Sequence, residues 1–332
     1  MYKKIDKKIK NIIYKIINIF FLFYLIITIN NYKIINRNIN IIKNLNLNYN
    51  KKFIIISRKY STDGLLAYYY MNIGCIHDYI FNRQIPIIDL SSHPNIFNGF
   101  NTKTTKNPWE EFFNQPFNYT LNNVKKNAKN IKYVECYLGK IGSPSSLVFY
   151  NKTSREYWHN IAKRYVPIKS EIIKEANYKF NLLFNNSINI LGILIRGTDY
   201  IAKMPHGHAI QPSPKMVFKD IKKMDNKNKY DWFFITTEDD LIREKFIIKF
   251  GKKLKYIKSK TKINYDYKKK KLLAFNNNIK GNFEFMRTYL INIIILSKCL
   301  DIITSKTAGS IVTFILTNGF RNIKVYNLGH YK

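Results

Sequence analysis

The sequence predicts an α/β protein with two Rossmann-like domains, each containing a parallel sheet. Short apolar runs of strand length alternate with segments of helix length along most of the chain, which is the order expected of βαβ units. The chain has 332 residues, enough for two domains of ordinary size, and no solenoid-length repeat is present. We place a basic and apolar N-terminal segment at 1–50, a first domain at 51–185 and a second domain at 186–332.

The composition is globular, with 46% hydrophobic residues and 15% aromatics. A net charge of +35 makes nucleic acid or an anionic membrane candidate partners. The lysines are spread over the whole chain without a zinc-finger spacing or an RNA-binding aromatic signature, so we expect no nucleic-acid partner. Cys75, Cys136 and Cys299 lie far apart in mostly apolar surroundings, which predicts neither a disulfide framework nor a metal site and suggests a reducing, cytoplasmic compartment.

The N-terminal segment has lysines within 3–10 followed by an apolar stretch at 12–29. This resembles an uncleaved signal anchor, but its uninterrupted apolar part is shorter than the roughly 20 residues that a membrane helix needs. A single span, an interfacial helix and an irregular basic tail all remain open. We expect attachment to an anionic membrane surface on its cytoplasmic face, because charge and apolar area both favour it.

The first domain is predicted to open as a strand at 53–57, a helix at 65–82 and a strand at 85–90, which gives a parallel pair. Asp89 stands at the end of the second strand, before a polar loop that is suited to line a cleft. Trp109 either packs in the core, which we favour, or offers a platform for a sugar. Further helices are predicted at 154–164 and 169–183.

The second domain shows the clearest alternation of strands and helices. Its strands are predicted at 188–195, 230–235, 254–257, 300–304 and 323–327. Its helices are predicted to begin at Ser213, at 236–239 (running to Gly251), at 283 (running to 299) and within 305–310 (ending at Gly319). The polar, lysine-rich segment 259–282 is predicted to be a long mobile loop.

Arg196 follows the first strand of this second domain. In open parallel sheets, ligands bind at the carboxyl ends of strands, and a guanidinium can grip a phosphate there with two parallel hydrogen bonds. The alternative is that Arg196 and Asp199 form a local ion pair that closes a turn. The small residues of 305–310 lie between a strand and a helix, where N–H groups and hydroxyls hold anions. We therefore predict that Arg196 and this turn clamp one diphosphate, with the acids of 238–240 placed for ribose or base.

Three motifs resemble those of the fucosyltransferase-like superfamily of glycosyltransferases. They are Leu-Ile-Arg-Gly-Thr-Asp-Tyr at 194–200, Ile-Thr-Thr-Glu-Asp at 235–239 and the Ser/Thr-rich turn at 304–310. Together with Gly-His-Ala-Ile-Gln-Pro-Ser at 207–213, they are also similar to uncharacterised bacterial proteins encoded among surface-polysaccharide genes. The resemblance covers about residues 53–331.

This resemblance implies a GT-B fold, in which two Rossmann-like domains face each other across a cleft. It implies inverting, metal-independent transfer from a GDP-sugar, most often GDP-fucose, to a glycan or lipid-linked glycan, with no further cofactor. The implied donor-binding residues are Arg196, Gly197, Thr237, Glu238, Asp239, Ser305, Thr307, Gly309 and Ser310. The implied acceptor side includes Asp63, Asp89 and Trp109.

In the catalytic role, Arg196 matches the arginine that neutralises the leaving diphosphate, with Asp199 beside it. His206 and His208 are the candidates for deprotonating the acceptor, since histidine titrates near neutral pH; the alternative is that His208 packs the loop.

The chain departs from the family pattern at two motif positions and lacks a familiar base. Leu194 replaces the motif histidine, Gly197 stands where a second arginine is often found, and no glutamate occupies the position of the base in some members. The donor sugar and the general base are therefore left open. A second hypothesis, of another class, is a non-catalytic membrane-peripheral protein that binds anionic lipid or glycan.

Overall fold

The computed structural model describes residues 51–59, 61–100, 106–136, 143–261, 263, 265–317 and 319–332. The segment 1–50, with its predicted membrane attachment, lies outside the described residues. Within the described ranges, no helix combines the length and the apolar character needed to cross a membrane.

The first domain contains a three-stranded parallel sheet in the order β2-β1-β3. Its strands are β1 (Phe53–Ser57), β2 (Ile85–Ile88) and β3 (Ile131–Glu135). The predicted parallel pair of β1 and β2 is confirmed. Sequence reasoning missed β3, because this edge strand mixes charged and apolar residues and is only partly buried.

In the part of the chain that the structure describes, five helices belong to the first domain or to its connection with the second. They are α1 (Leu65–Phe81), α2 (Trp109–Phe112), α3 (Leu121–Asn127), α4 (Lys152–Tyr165) and α5 (Ser170–Phe184). Three of them agree with the predicted helices to within two residues at each end. The short α3 was missed, although Thr120 caps it by accepting the N–H of Asn123 at 3.2 Å.

The second domain is a five-stranded parallel sheet in the order β6-β5-β4-β7-β8. Its strands are β4 (Ile190–Leu194), β5 (Trp232–Thr236), β6 (Leu254–Lys255), β7 (Asp301–Ser305) and β8 (Ile323–Tyr326). The chain starts at the central β4, builds outward on one side, and returns to build outward on the other. This doubly wound order places a topological switch point between β4 and β7, where such sheets bind ligands.

The helices of the second domain are α6 (Thr198–Ala202), α7 (Pro214–Asn228), α8 (Asp240–Phe250), α9 (Phe283–Leu296) and α10 (Ala308–Leu316). The last four begin close to the predicted places, whereas the short α6 was not predicted. The helix predicted to start within 236–239 begins at Asp240, because Asp239 is its N-cap and accepts the N–H of Ile242. α9 and α10 end about three residues earlier than predicted.

The two domains share one apolar core. α10 of the second domain packs against α1 and α4 of the first domain. Phe314 on α10 meets Phe149 of the first domain edge to face, with 5.0 Å between ring centroids. The carboxyl ends of β4 and β7 are thereby fixed relative to the first domain.

The described residues of the segment 259–282 contain one short 3-10 turn, Leu273–Phe275, and otherwise lack helices and strands, as predicted. It is nevertheless docked rather than free. Leu273, Ala274 and Ile279 are buried, and Phe275 stacks on Phe100 of the first domain at 5.3 Å. The prediction of a mobile loop is wrong in this respect. The apolar residues that anchor the segment are scattered among lysines without helical or strand periodicity, so the sequence did not reveal them.

Cys75 and Cys136 form a disulfide, with their Cα atoms 6.4 Å apart. The prediction that the cysteines are unpaired is therefore wrong. Cys75 lies on α1 and Cys136 directly follows β3, the strand that sequence reasoning missed, so nothing in the spacing revealed their proximity. Cys299 is a buried free thiol, and burial raises its pKa.

Candidate functional site

Arg196 lies just beyond β4, whose residues are all buried. Its Nη2 is 3.3 Å from Asp199 Oδ1 and its Nε is 3.2 Å from Glu238 Oε1, while the ring of Tyr200 lies 4.6 Å from the guanidinium. The local ion pair with Asp199 thus exists, but it is only one part of a larger cluster. The Nε–H is buried and has no hydrogen-bond partner, because its geometry toward Glu238 is that of an ion pair only.

The charges of this cluster are strongly coupled. Burial opposes the charge of Arg196, but Glu238 and Asp199 hold its pKa well above its usual value, so the guanidinium is permanently cationic. Burial raises the pKa of Glu238, and Arg196 opposes that rise. The site therefore keeps a fixed cation at the end of a buried strand, where low polarity strengthens its interactions.

Glu238 and Asp239 shape the loop that carries Arg196. Glu238 accepts the N–H of Gly197 at 2.9 Å and the hydroxyl of Thr198 at 3.0 Å. Asp239 accepts the N–H of Thr198 at 3.0 Å and also the hydroxyl of Tyr267. Both carboxylates from the second motif are thus engaged with the loop of the first motif, and Asp239 is almost fully buried.

Gly197 lies directly against Asp239. A Cβ at this position would come within 2.5 Å of Asp239 Cβ and overlap its carboxylate. Only glycine fits, so the close packing of the two motifs explains why no second arginine follows Arg196.

The turn between β7 and α10 uses its hydroxyls to hold its own shape. Thr307 and Ser310 form a capping box, with the N–H of Ser310 donating to Thr307 Oγ1 at 3.2 Å and that of Thr307 to Ser310 Oγ at 2.7 Å. Ser305 donates to Gln211 Oε1 at 2.6 Å. These side chains are buried, so the capacity of the turn to hold an anion rests on the first N–H groups of α10, which have no intrahelical acceptor.

The sheet register places Arg196 and this turn side by side. Leu194 of β4 pairs with Thr304 of β7, so Arg196 and the turn emerge from neighbouring strand ends at the switch point. Tyr289 of α9 lies between them. Its hydroxyl approaches so closely that a Cβ on Gly309 would be 2.5 Å away, and it also interacts with Arg196. Burial raises the pKa of Tyr289 to about 12, and the nearby Arg196 opposes that rise.

A small pocket, with a cavity volume of about 40 Å³, opens beside the cluster. It lies between the end of β5, the start of α8, part of the segment 257–263 and α9. Thr237, Glu238 and Asp240 line it. The contact of these acids with ribose or base stays a prediction. Two of its lining atoms, Thr236 Oγ1 and Asn292 Oδ1, are buried without a hydrogen-bond partner. Such atoms are costly unless a ligand or water satisfies them.

Sequence reasoning missed Tyr289 and Asn292 as pocket residues. Both lie on α9, a helix whose other side chains are mainly apolar and buried. The sequence offered a weak indication of their role, namely that these two side chains are polar within an otherwise apolar helix.

His208 lies at the edge of the Arg196 cluster. Its Nδ1 is 3.1 Å from the hydroxyl of Tyr200, whose ring contacts Arg196. Burial against Tyr200 lowers the pKa of His208, and Asp199 and Asp63 oppose this shift. His206 and His208 are both exposed in this loop. The contact with Tyr200 brings His208 to the cluster.

Asp63 is the acceptor-side candidate that approaches the cleft. It lies at the start of α1, where its Oδ2 is 2.7 Å from Arg58 Nη1 and accepts the hydroxyl of Ser61 at 2.7 Å. Its charge reaches His208 and Tyr200 of the second domain. Asp63 and the Arg196 cluster therefore face each other across the domain boundary.

Asp89 and Trp109 occupy buried positions. Asp89 accepts from Ser91, Ser92 and Lys125; these bonds lower its pKa although burial opposes them, and they fix the polar loop after β2. Trp109 is 0% exposed and packs on Phe113, so the core alternative is confirmed and the sugar-platform alternative is wrong.

Neither a protein-family model nor a curated protein matches this sequence. Solved structures do match. The apo form of POFUT1 has a TM-score of 0.51 at 8% identity, over 84% of this chain and 99% of that chain. The fucosyltransferase NodZ from Bradyrhizobium has a TM-score of 0.45 at 12% identity, over 80% of this chain and 93% of that chain. POFUT1 has also been crystallised with GDP-fucose. The chain therefore has a fucosyltransferase-like, GT-B fold.

Proposed function

We propose that this protein is a glycosyltransferase that moves a sugar, fucose or a related one, from a GDP-linked donor to a glycan acceptor. The observation that carries the proposal is the Arg196 guanidinium at the switch point of a doubly wound sheet, whose buried Nε–H contacts Glu238 as an ion pair but makes no hydrogen bond. A diphosphate oxygen that reached the guanidinium would accept a hydrogen bond from it and face the N–H groups at the start of α10. The capacity of POFUT1, a protein of similar fold, to bind GDP-fucose agrees with this proposal.

The pocket beside Glu238 is the proposed nucleoside site. A base or ribose that widens this small pocket on entry would reach Thr236 Oγ1 and Asn292 Oδ1, which are buried without a hydrogen-bond partner. Amide and hydroxyl oxygens can accept the N–H and O–H donors that a nucleoside presents. GDP is the preferred diphosphate of the proposal because POFUT1, a protein of similar fold, has been crystallised with GDP-fucose.

The proposed reaction is a single displacement that inverts the anomeric carbon. The acceptor hydroxyl oxygen bonds to that carbon as its bond to the diphosphate oxygen breaks, and the diphosphate leaves with the electron pair. Arg196 neutralises the charge that develops on the leaving group. His208, held by Tyr200, takes the acceptor proton, and Asp63 across the cleft stabilises the imidazolium that forms. The proposed reaction requires no metal ion.

We place this activity in surface-polysaccharide synthesis at the cytoplasmic face of a membrane, with the basic and apolar segment 1–50 as the attachment. The resemblance of the motifs to proteins of that setting and the net charge of +35 support this. Disulfides persist mainly in oxidising compartments, so the redox state of Cys75 and Cys136 in cells tests the location.

Nucleotide-dependent thermal stabilisation tests the donor site. GDP is expected to raise the melting temperature of the wild type more than UDP or ADP, and Arg196→Ala is expected to lose that response. Lys249→Ala, which removes an exposed cation on α8, is the control and should respond as the wild type does. Absence of stabilisation by all three nucleotides, or an equal response of Arg196→Ala to GDP, would overturn the proposal. Donor-hydrolysis screening across GDP-sugars then identifies the sugar.

A further inference from the structure

The Arg196 cluster carries more negative than positive charge. Its single guanidinium lies among the carboxylates of Glu238 and Asp199, and Asp239 is packed against the same loop. A diphosphate adds further negative charge at this place. Favourable binding therefore calls for another cation that is not already neutralised.

Neighbouring arginines do not meet this need, because each already pairs with a carboxylate. Arg243, which lines the nucleoside pocket, forms an ion pair with Asp240. Arg58, across the cleft, forms one with Asp63.

Lys306 occupies the matching position on the other side of the switch point. Thr304 pairs with Leu194, and Lys306 stands two residues beyond Thr304, as Arg196 stands two residues beyond Leu194. Neighbouring strands lie about 4.8 Å apart, so the backbone at both positions leaves the same edge of the sheet from neighbouring strands. Lys306 directly precedes Thr307, the N-cap of α10, and so flanks the free N–H groups of that helix.

The Lys306 side chain is oriented by neutral partners. Its Nζ donates to Asn327 Oδ1 at 3.0 Å and lies 5.8 Å from the ring centroid of Tyr150 in the first domain. Among the described residues, the ion pairs of the protein do not include Lys306. Its charge is therefore available to a ligand.

We propose that Lys306 is the second cation of the diphosphate site, in place of the arginine that Gly197 excludes. The inference rests on the proposed function and extends it to a residue of the third motif to which the sequence analysis assigned no role. An ammonium on a flexible stem can follow the diphosphate as its charge grows, whereas the packing against Asp239 leaves no room for a cation at 197. Because Tyr150 belongs to the first domain, the ammonium also couples donor binding to the domain boundary.

The experiment compares Lys306→Met, Lys306→Arg and the control Lys249→Met by calorimetric titration with GDP, GMP and guanosine. A charge-assisted contact to phosphate predicts that Lys306→Met weakens GDP binding about 10- to 100-fold and leaves guanosine binding nearly unchanged. Lys306→Arg should restore most of the affinity, and Lys249→Met should match the wild type. The salt dependence of GDP binding should be shallower in Lys306→Met, which a merely structural role would not produce.

Two results would overturn the inference, and they are distinguishable. If the wild type binds no nucleoside diphosphate, the proposed function fails and the inference fails with it. If the wild type binds GDP and Lys306→Met binds it equally well, or loses guanosine binding to the same extent, the inference alone fails.

Discussion

Arg196 Nε lies 3.2 Å from Glu238 Oε1, yet its N–H remains without a hydrogen-bond partner. The two side chains come from the carboxyl ends of the neighbouring strands β4 and β5, so the sheet itself holds them together. Glu238 keeps the guanidinium charged and in place, while the orientation of the pair leaves one donor for a ligand. Glu238 therefore fixes the position of the Arg196 guanidinium, and a ligand can still accept a hydrogen bond from it.

The first prediction concerns Glu238→Gln. The amide oxygen can still accept from Gly197 and Thr198, but the negative charge beside Arg196 is removed. We therefore expect GDP to bind at least as tightly as to the wild type. Glu238→Ala should instead destabilise the protein by about 3 kcal/mol, because it leaves a buried cation and two donors without a partner. Chemical denaturation and GDP titration of both variants measure the two effects; weaker GDP binding by a folded Glu238→Gln variant would contradict this account.

The second prediction concerns the contact between Gly197 and Asp239. Gly197→Ala should cost about 1–3 kcal/mol of stability, because the new methyl group meets the Asp239 carboxylate with no space to relax. Gly64→Ala is the matched control, since its Cβ would meet no atom within 4 Å and its φ of −82° suits alanine. Urea denaturation measures both. Equal stability of the two variants would show that the two motifs are not packed as described.

The third prediction concerns the pH dependence of turnover. A general base must be neutral, and burial lowers the pKa of His208, so the imidazole becomes competent at a lower pH than an ordinary histidine. The rate should rise with pH and level off below the ordinary histidine value of about 6.5. His208→Gln should remove this rise of the rate with pH and lower kcat about 100- to 10,000-fold. If His206→Gln removes it instead, the assignment of the base is wrong.

The fourth prediction concerns the disulfide between Cys75 and Cys136. Protein denatured without reductant should show one free thiol, that of Cys299, and three after reduction. Loss of the cross-link by Cys75→Ser should cost about 4 kcal/mol, the chain-entropy value for a loop with a sequence separation of 61. Cys136→Ser should cost about the same, and the double variant no more than either alone. Three reactive thiols before reduction would contradict the pairing.

The sequence predicted those parts of the site that depend on short, contiguous stretches of residues. β4 is an uninterrupted apolar run that stops at Arg196, and the turn after β7 is a run of small residues, so both strand ends were visible. Sequence reasoning also predicted that the two clamp one diphosphate, but the register of β4 with β7, which depends on the whole order of the sheet, is seen only in the structure. Gly197 packs on Asp239 and Cys75 pairs with Cys136. These are likewise contacts between segments distant in the sequence, and no local sequence pattern predicts them.

The pocket residues show a second limit of sequence reasoning. Asn292 and Thr236 are single polar side chains within apolar elements, and a sequence alone cannot tell whether such a group has a partner. The structure shows that one oxygen of each is buried without one. Burial of an unpartnered polar atom is a property of the assembled fold, so it appears only when α9 is placed against β5.

The final prediction uses one of these oxygens, Thr236 Oγ1, to measure the stability of the protein and its binding of nucleoside separately. Thr236→Val keeps the shape of the side chain but removes the unpartnered hydroxyl, so the melting temperature of the free protein should stay equal or rise. Binding of guanosine and GDP should weaken together, by about 10-fold, because the nucleoside loses its partner while the diphosphate keeps Arg196. Thr237→Val, which alters a pocket residue without an unpartnered buried hydroxyl, is the comparison. A Thr236→Val variant that binds guanosine as tightly as the wild type would place the nucleoside outside this pocket.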